Sequence, residues 1–97
     1  MKLHHDITPE RIAQLIAIRD AIPGTSAMPQ RQRLLEAMRQ LGHVTTFEAS
    51  RFLDIYHPPA RKRDLVKAGY QIITAMRDVL TEAGKRHRVG LYTLERV

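Results

Sequence analysis

Apolar residues recur at helical spacing along the N-terminal third of the chain. Thr8-Pro9-Glu10 supplies the residue types of a helix N-cap, a first helical position and a first turn. We therefore predict a helix from this point until Pro23-Gly24 ends it. Its apolar residues form more than one stripe, so it either covers one domain broadly or shares its surface with another molecule. These residues are Ile12, Ala13, Leu15, Ile16, Ala17, Ile18 and Ile22.

A second helix is predicted after a connector. Residues 23–29 have the composition of a loop, and helical spacing resumes at Gln30. The apolar positions that follow are Leu34, Leu35, Met38 and Leu41. Gly42 then suits the left-handed conformation that ends many helices, so the helix should span residues 30–41.

Two shorter helices should follow, with a tight turn between them. Thr45 and Glu48 have the spacing of a capping box, in which each side chain satisfies a backbone N–H that the helix leaves free. This helix should run through Leu53. Pro58-Pro59 fits only the entrance of the next helix, because proline lacks the N–H that interior positions donate. That helix should end at Gly69.

The segment after Gly69 allows two interpretations. Apolar residues at helical spacing precede Gly84 and favour a helix. They are Ile72, Met76, Val79, Leu80 and Ala83. However, Ile72-Ile73-Thr74 is a β-branched run, and residues 86–94 have the length of a strand that needs a partner, which favours a hairpin.

Composition limits the kind of protein. The chain has 97 residues, 43% of them hydrophobic, which fits one domain with a modest core. We divide it into an N-terminal helix and connector, residues 1–29, and a domain of residues 30–97. The formal net charge is +6, with +3 on residues 57–69 and +2 on residues 70–97. This asymmetry favours a polyanionic partner such as nucleic acid, although a soluble basic protein would show the same charge.

Several function classes find no support in the residues. There is no cysteine, and no apolar run approaches the roughly 18 residues of a membrane span. We therefore expect a soluble cytoplasmic protein. Ser26 and Ser50 belong to no nucleophile motif, and the five histidines lack the spacing of helical metal ligands. We predict no enzyme activity, no metal, no cofactor and no small-molecule substrate.

Residues 30–95 resemble the small winged helix-turn-helix domains common in phage and prophage proteins. The similarity is carried by Arg33-Leu34-Leu35, Val44-Thr45-Thr46-Phe47-Glu48-Ala49, Pro59-Ala60-Arg61, residues 64–74, Gly84-Lys85-Arg86 and Tyr92-Thr93-Leu94. The resemblance implies a mostly α fold with a small β-hairpin, in which residues 30–41 are scaffold and the next two helices form the helix-turn-helix. Lys62 departs from the family pattern, which is usually aliphatic there.

The resemblance also decides for the hairpin, which would be the wing. Its turn should lie near Thr81 to Lys85, with Gly84 at positive φ and Gly90 at a bulge or a close approach. Lys85, Arg86 and Arg88 would then gather at the tip, where phosphate contact is expected.

A helical wheel orients the helix that follows the turn. Because Leu65 must face the core, Arg63 and Lys67 should point away from it, toward the DNA groove. Ala60, on the same outward arc, is small enough to allow close approach or to touch a thymine methyl group. Arg61 and Lys62 lie at the flanks, where their charges can reach phosphates. The alternative is a solvated basic helix face.

Two functions fit these observations. The first is a sequence-specific or architectural double-stranded DNA-binding protein, either a transcriptional regulator of the phage or prophage type or an accessory factor in DNA transactions. The second is a protein-interaction module that keeps the winged-helix scaffold and binds through the N-terminal helix. A homodimer through residues 8–22 is also possible, because this helix carries more than one apolar stripe. The first function requires that Arg63, Lys67, Arg86 and Arg88 form one continuous positive face, whereas dispersed charges would favour the second.

Overall fold

The computed structural model of the protein describes residues 7–80 and 83–95, and these form four helices and three strands. In chain order they are α1 (Pro9–Ala21), α2 (Ala27–Leu41), β1 (His43–Thr45), α3 (Thr46–Phe52), α4 (Pro58–Lys67), β2 (Ile72–Leu80) and β3 (Arg86–Leu94). The predicted class, mostly helical with a winged helix-turn-helix and an N-terminal helical extension, is confirmed.

The helix starts follow the sequence signals. Thr8 Oγ1 accepts a hydrogen bond from the Arg11 backbone N–H at 3.1 Å and caps α1. The capping box of α3 is complete: the Glu48 N–H donates to Thr45 Oγ1 at 3.0 Å, and the Thr45 N–H donates to Glu48 Oε1 at 2.9 Å. Both bonds satisfy donors that a helix terminus otherwise leaves free.

The second helix begins earlier than expected. We predicted a start at residue 30, but α2 begins at Ala27 and includes Pro29 in its first turn. A proline is tolerated there because the first backbone N–H groups of a helix have no partner within it. The predicted end is confirmed, since Gly42 caps the helix with φ of +89°.

The wing is a hairpin, so the helical interpretation of its first half is wrong. Strands β2 and β3 pair antiparallel and without interruption from Ile72 opposite Leu94 to Leu80 opposite Arg86. Gly84 takes the predicted positive φ, at +76°. The predicted turn also includes residues 81 and 82, which lie outside the described residues.

A third strand was not predicted. The short strand β1 pairs with β3, which gives the sheet order β1-β3-β2 and leaves β2 at an edge. Gly90 marks a close approach and not a bulge, because the strand register runs through it unbroken. Its N–H donates to Thr46 Oγ1 at 3.1 Å, which ties the sheet to the start of α3.

The core joins all four helices to the sheet. Its buried side chains are Leu15, Ile18, Leu34, Leu35, Ala37, Met38, Val44, Ala49, Phe52, Leu53, Ile55, Leu65 and Tyr92. Leu15 and Ile18 come from α1, so this helix contributes to the same core as residues 30–95. The division of the chain at residue 29 stays a prediction.

Candidate nucleic-acid interface

A buried arginine on α2 holds the turn of the helix-turn-helix. The Arg33 side chain is 2% exposed, and its guanidinium donates to backbone carbonyls of two loops. In the turn before α4 it binds Leu53 O at 2.7 Å and Asp54 O at 3.1 Å. In the α1–α2 connector it binds Ile22 O at 2.7 Å and Gly24 O at 2.9 Å. The planar, multiple donors of arginine suit this arrangement.

Gln30, almost one turn earlier on α2, makes the same connection. Its Nε2 donates to Thr25 O at 2.6 Å, and its Oε1 accepts from the Tyr56 N–H at 2.9 Å. Sequence reasoning missed the roles of Gln30 and Arg33. A signal was present, because both fall on the helix face that also carries Leu34 and Ala37, where a polar side chain needs buried partners.

Glu48 links α3 to α1. Its carboxylate accepts from Arg11 Nε at 2.6 Å and Nη2 at 3.2 Å, and the same Nη2 donates to His43 O at 2.8 Å. Burial by itself raises the pKa of Glu48. The hydrogen bonds from Arg11 and Thr45 outweigh that effect, so the pKa lies below its ordinary value. The charged carboxylate is thus part of the folded structure.

Helix α4 has the orientation that the wheel predicted. Leu65 is buried, whereas Arg63 and Lys67 are exposed on the opposite side. Ala60 and Lys62 are half-buried. The outward direction of Arg63 and Lys67 follows from the short helix being fixed by Pro58 at its start and Leu65 near its end, both buried.

Arg61 differs from the other basic residues of α4. Its Nε lies 3.0 Å from Asp64 Oδ2 on the same helix, and its side chain is only 20% exposed. That Nε is buried and makes no well-aligned hydrogen bond, so the contact is an ion pair by distance. Because Asp64 offsets its charge, Arg61 has less to offer a phosphate than Lys62 or Arg63.

Two basic residues of the wing, Arg86 and Arg88, lie on the face of β3 that turns toward the helices. Side chains alternate along a strand, so Arg86, Arg88 and Tyr92 share one face of β3. Tyr92 is part of the core, which identifies this as the inner face. Arg86, Arg88 and the preceding Lys85 are exposed. Asp78 is the register partner of Arg88 and reduces the net charge at that point.

Two adjoining depressions separate α4 from the wing. One, of about 260 Å³, has Lys62 and Arg63 in its lining, and the other, of about 590 Å³, has Arg88. Both include Pro59, Thr74 and Tyr92, so they form one continuous surface. The structure therefore brings three of the eight predicted site residues around one depression. The other five are outside its lining and are Ala60, Arg61, Lys67, Lys85 and Arg86.

Among the lining residues that were not predicted as site residues, Val66 is the one exposed aliphatic side chain of α4. Val66 is 45% exposed and lies beside Lys62 and Arg63 in the smaller depression. The wheel placed Leu65 toward the core, and the same wheel puts Val66 about 60° from Arg63, so the sequence contained this signal.

Comparison with known proteins agrees with the geometry. A family model described as a winged helix-turn-helix domain matches residues 29–97. No curated protein and no solved structure shows significant similarity to the chain. In the described ranges, 7–80 and 83–95, no helix has the length and apolar character needed to cross a bilayer.

Proposed function

Because the chain belongs to the winged helix-turn-helix domain family, we propose that it binds double-stranded DNA. Helix α4 would enter the major groove, and the β2–β3 wing would follow the backbone. The observation that carries this proposal is the continuous depression between α4 and the wing, with Lys62 and Arg63 on one side and Arg88 on the other. Cations from both elements could then contact one duplex at the same time.

The basic residues would have two different roles, contact with bases and contact with phosphates. Arg63 is exposed on α4, and N–H groups of its two terminal nitrogens would donate hydrogen bonds to O6 and N7 of a guanine. Lys67 would contact the groove beside it, and Ala60 would permit close approach. The other predicted residues would bind phosphates without reading sequence. These are Arg61, Lys62, Lys85, Arg86 and Arg88.

The biological role that we propose is regulation of transcription, or an accessory function in DNA transactions, of the kind found in phage and prophage proteins. It rests on the resemblance of residues 30–95 to those domains.

The alternative, a protein-interaction module that acts through α1, is less well supported. Leu15 and Ile18 are buried in the core, and Ile12 and Ile22 pack against it. Among the described residues, none of the exposed large hydrophobic side chains belongs to α1. Homodimerisation through residues 8–22 stays a proposal, with little apolar surface available for it.

Salt dependence of binding tests the main proposal. With four to six basic side chains on phosphates, the log of the association constant should fall with log salt at a slope of roughly −4 to −5. Fluorescence anisotropy with a labelled duplex at several salt concentrations would measure it. No binding to duplex at low salt would refute the proposal.

Two variants separate the elements. Arg88→Ala should weaken binding to all sequences alike and make the slope shallower by about one. Arg63→Ala should cost about 1–3 kcal/mol on a preferred site and relax the preference at one base pair. Arg19→Ala is the matched control, because Arg19 is an arginine of α1 that pairs with Asp20 at 2.9 Å. Equal loss on random and preferred duplexes with Arg63→Ala would show that Arg63 does not read bases.

A further inference from the structure

Val66 stands out on α4 because neither packing in the core nor helix propensity explains a valine at this position. Its side chain is 45% exposed on a helix whose other outward residues are mostly charged. Valine loses rotamer freedom in a helix and favours it less than alanine, lysine or arginine. Helix propensity therefore does not account for this valine, and its exposed side chain is available to contact a bound partner.

The neighbours of Val66 identify that partner as the duplex. Val66 lines the same depression as Lys62 and Arg63, which lie one helical turn before it, and Pro59, which lies two turns before it. Residues three apart on a helix share a face, and Arg63 and Val66 are separated by about 4.5 Å along the axis. Successive base pairs of B-DNA are about 3.4 Å apart. If Arg63 contacts a guanine, Val66 is thus one or two base pairs away.

The bulkiest apolar group in the major groove is a methyl group. The edges of the base pairs present hydrogen-bond donors and acceptors, and thymine adds the C5-methyl group, where cytosine has only a hydrogen atom. An isopropyl side chain has no polar atom to satisfy there, and contact with a methyl group removes apolar surface from water on both sides. A guanine–thymine combination therefore fits the arginine–valine pair.

We propose that Val66 is a specificity-determining residue that recognises the C5-methyl group of a thymine one or two base pairs from the guanine bound by Arg63. This inference rests on the proposed DNA-binding function. It adds an apolar contact to an interface whose other predicted members are, apart from Ala60, all cationic.

The test replaces single thymines by deoxyuridine, which removes the methyl group and leaves the Watson–Crick pairing unchanged. A preferred duplex is first selected with the full chain from a randomised pool. Each thymine is then replaced in turn, and Kd is measured by anisotropy. The wild-type protein should bind about fourfold more weakly when one particular thymine is replaced, as expected for burial of one methyl group.

Three variants test whether Val66 causes the preference for thymine. Val66→Ala should bind the thymine and deoxyuridine duplexes equally, and Val66→Ile should keep the preference. Ile73→Ala is the matched control, because Ile73 is also an exposed β-branched residue, at 51%, but points to the opposite face of β2 from Thr74. It should keep the wild-type preference for thymine.

The outcomes separate the two proposals. Duplex binding with no thymine that is sensitive to replacement, or sensitivity that survives in Val66→Ala, would overturn the role of Val66 and leave the DNA-binding function standing. Absence of duplex binding by the wild-type chain would overturn both.

Discussion

Replacing Arg33 by methionine should strongly destabilise the protein, because Arg33 holds the turn of the helix-turn-helix. Methionine keeps an extended, flexible side chain on α2 but removes every donor. Four carbonyls then lose a partner, two in the α1–α2 connector and two in the turn before α4. The contact to Leu53 O is fully buried, whereas the other three are partly accessible to water.

The expected cost follows from these four bonds. Hydrogen bonds to charged groups contribute about 1.5–3 kcal/mol each, but removing the buried guanidinium also removes its own desolvation penalty. A buried acceptor left without a partner costs about 1–3 kcal/mol, and each of the three partly accessible carbonyls adds less because water can reach it, so we expect a total of about 3–5 kcal/mol. A domain of this size has a total stability of about 5–15 kcal/mol. Arg33→Met should therefore lower Tm by at least about 12 °C, at about 4–8 °C per kcal/mol.

Urea unfolding followed by circular dichroism measures this cost, with Arg31→Met as the control. Arg31 is also on α2, and its side chain is only half-buried, so its loss should cost about 0.5 kcal/mol or less. Arg33→Lys should recover less than half of the loss, since one ammonium group cannot reach carbonyls of both loops. A cost below about 1 kcal/mol for Arg33→Met would refute this account of the turn.

Three further predictions concern the same elements. The pKa of Glu48 in the folded protein lies below its unfolded value. Its pairing with Arg11 therefore stabilises the folded state fully above about pH 4.3, and this stabilisation is lost as the pH falls through the folded pKa. Glu48→Gln should flatten this dependence of the free energy of unfolding on pH, measured by urea titration from about pH 7 to about pH 3. Gly90→Val should cost about 1–3 kcal/mol in the same assay, because a Cβ there lies 3.1 Å from Thr46 Cγ2, and an unchanged midpoint would contradict this close approach. Asp54 has φ of +54°, so Asp54→Gly should stabilise by up to about 1 kcal/mol in thermal melts while Asp54→Val destabilises.

Local signals in the sequence predicted the helix ends well, because the atoms that decide them are only a few residues apart. The Thr45–Glu48 capping box and the Pro58-Pro59 entrance are examples. The strand β2 was harder. It lies at the sheet edge and exposes residues on both faces, including Ile73 and Met76, so the two-residue alternation of a half-buried strand is weak. Only the family resemblance outweighed its helical spacing.

Features that depend on distant partners could not be predicted. The acceptors of Arg33 are about 10 and 20 residues away in sequence, and no periodicity connects them. The three-residue strand β1 likewise exists only because β3 pairs with it. For the candidate site, the wheel gave the outward direction of Arg63 and Lys67 but not the pairing of Arg61 with Asp64, which depends on side-chain rotamers.

The buried polar contacts explain why α1 cannot be regarded as an appendage of the helix-turn-helix. Arg11 neutralises the Glu48 carboxylate that caps α3, so without α1 this buried charge would lose the cation that pairs with it. At the other end, the connector after α1 shares the Arg33 guanidinium with the turn before α4. The start of α3 and the turn before α4 are thus held by two side-chain contacts, Arg11 with Glu48 and Arg33 with the connector, that also hold α1. The angle that α4 presents to a duplex is therefore set partly by residues that lie outside the matched range 29–97.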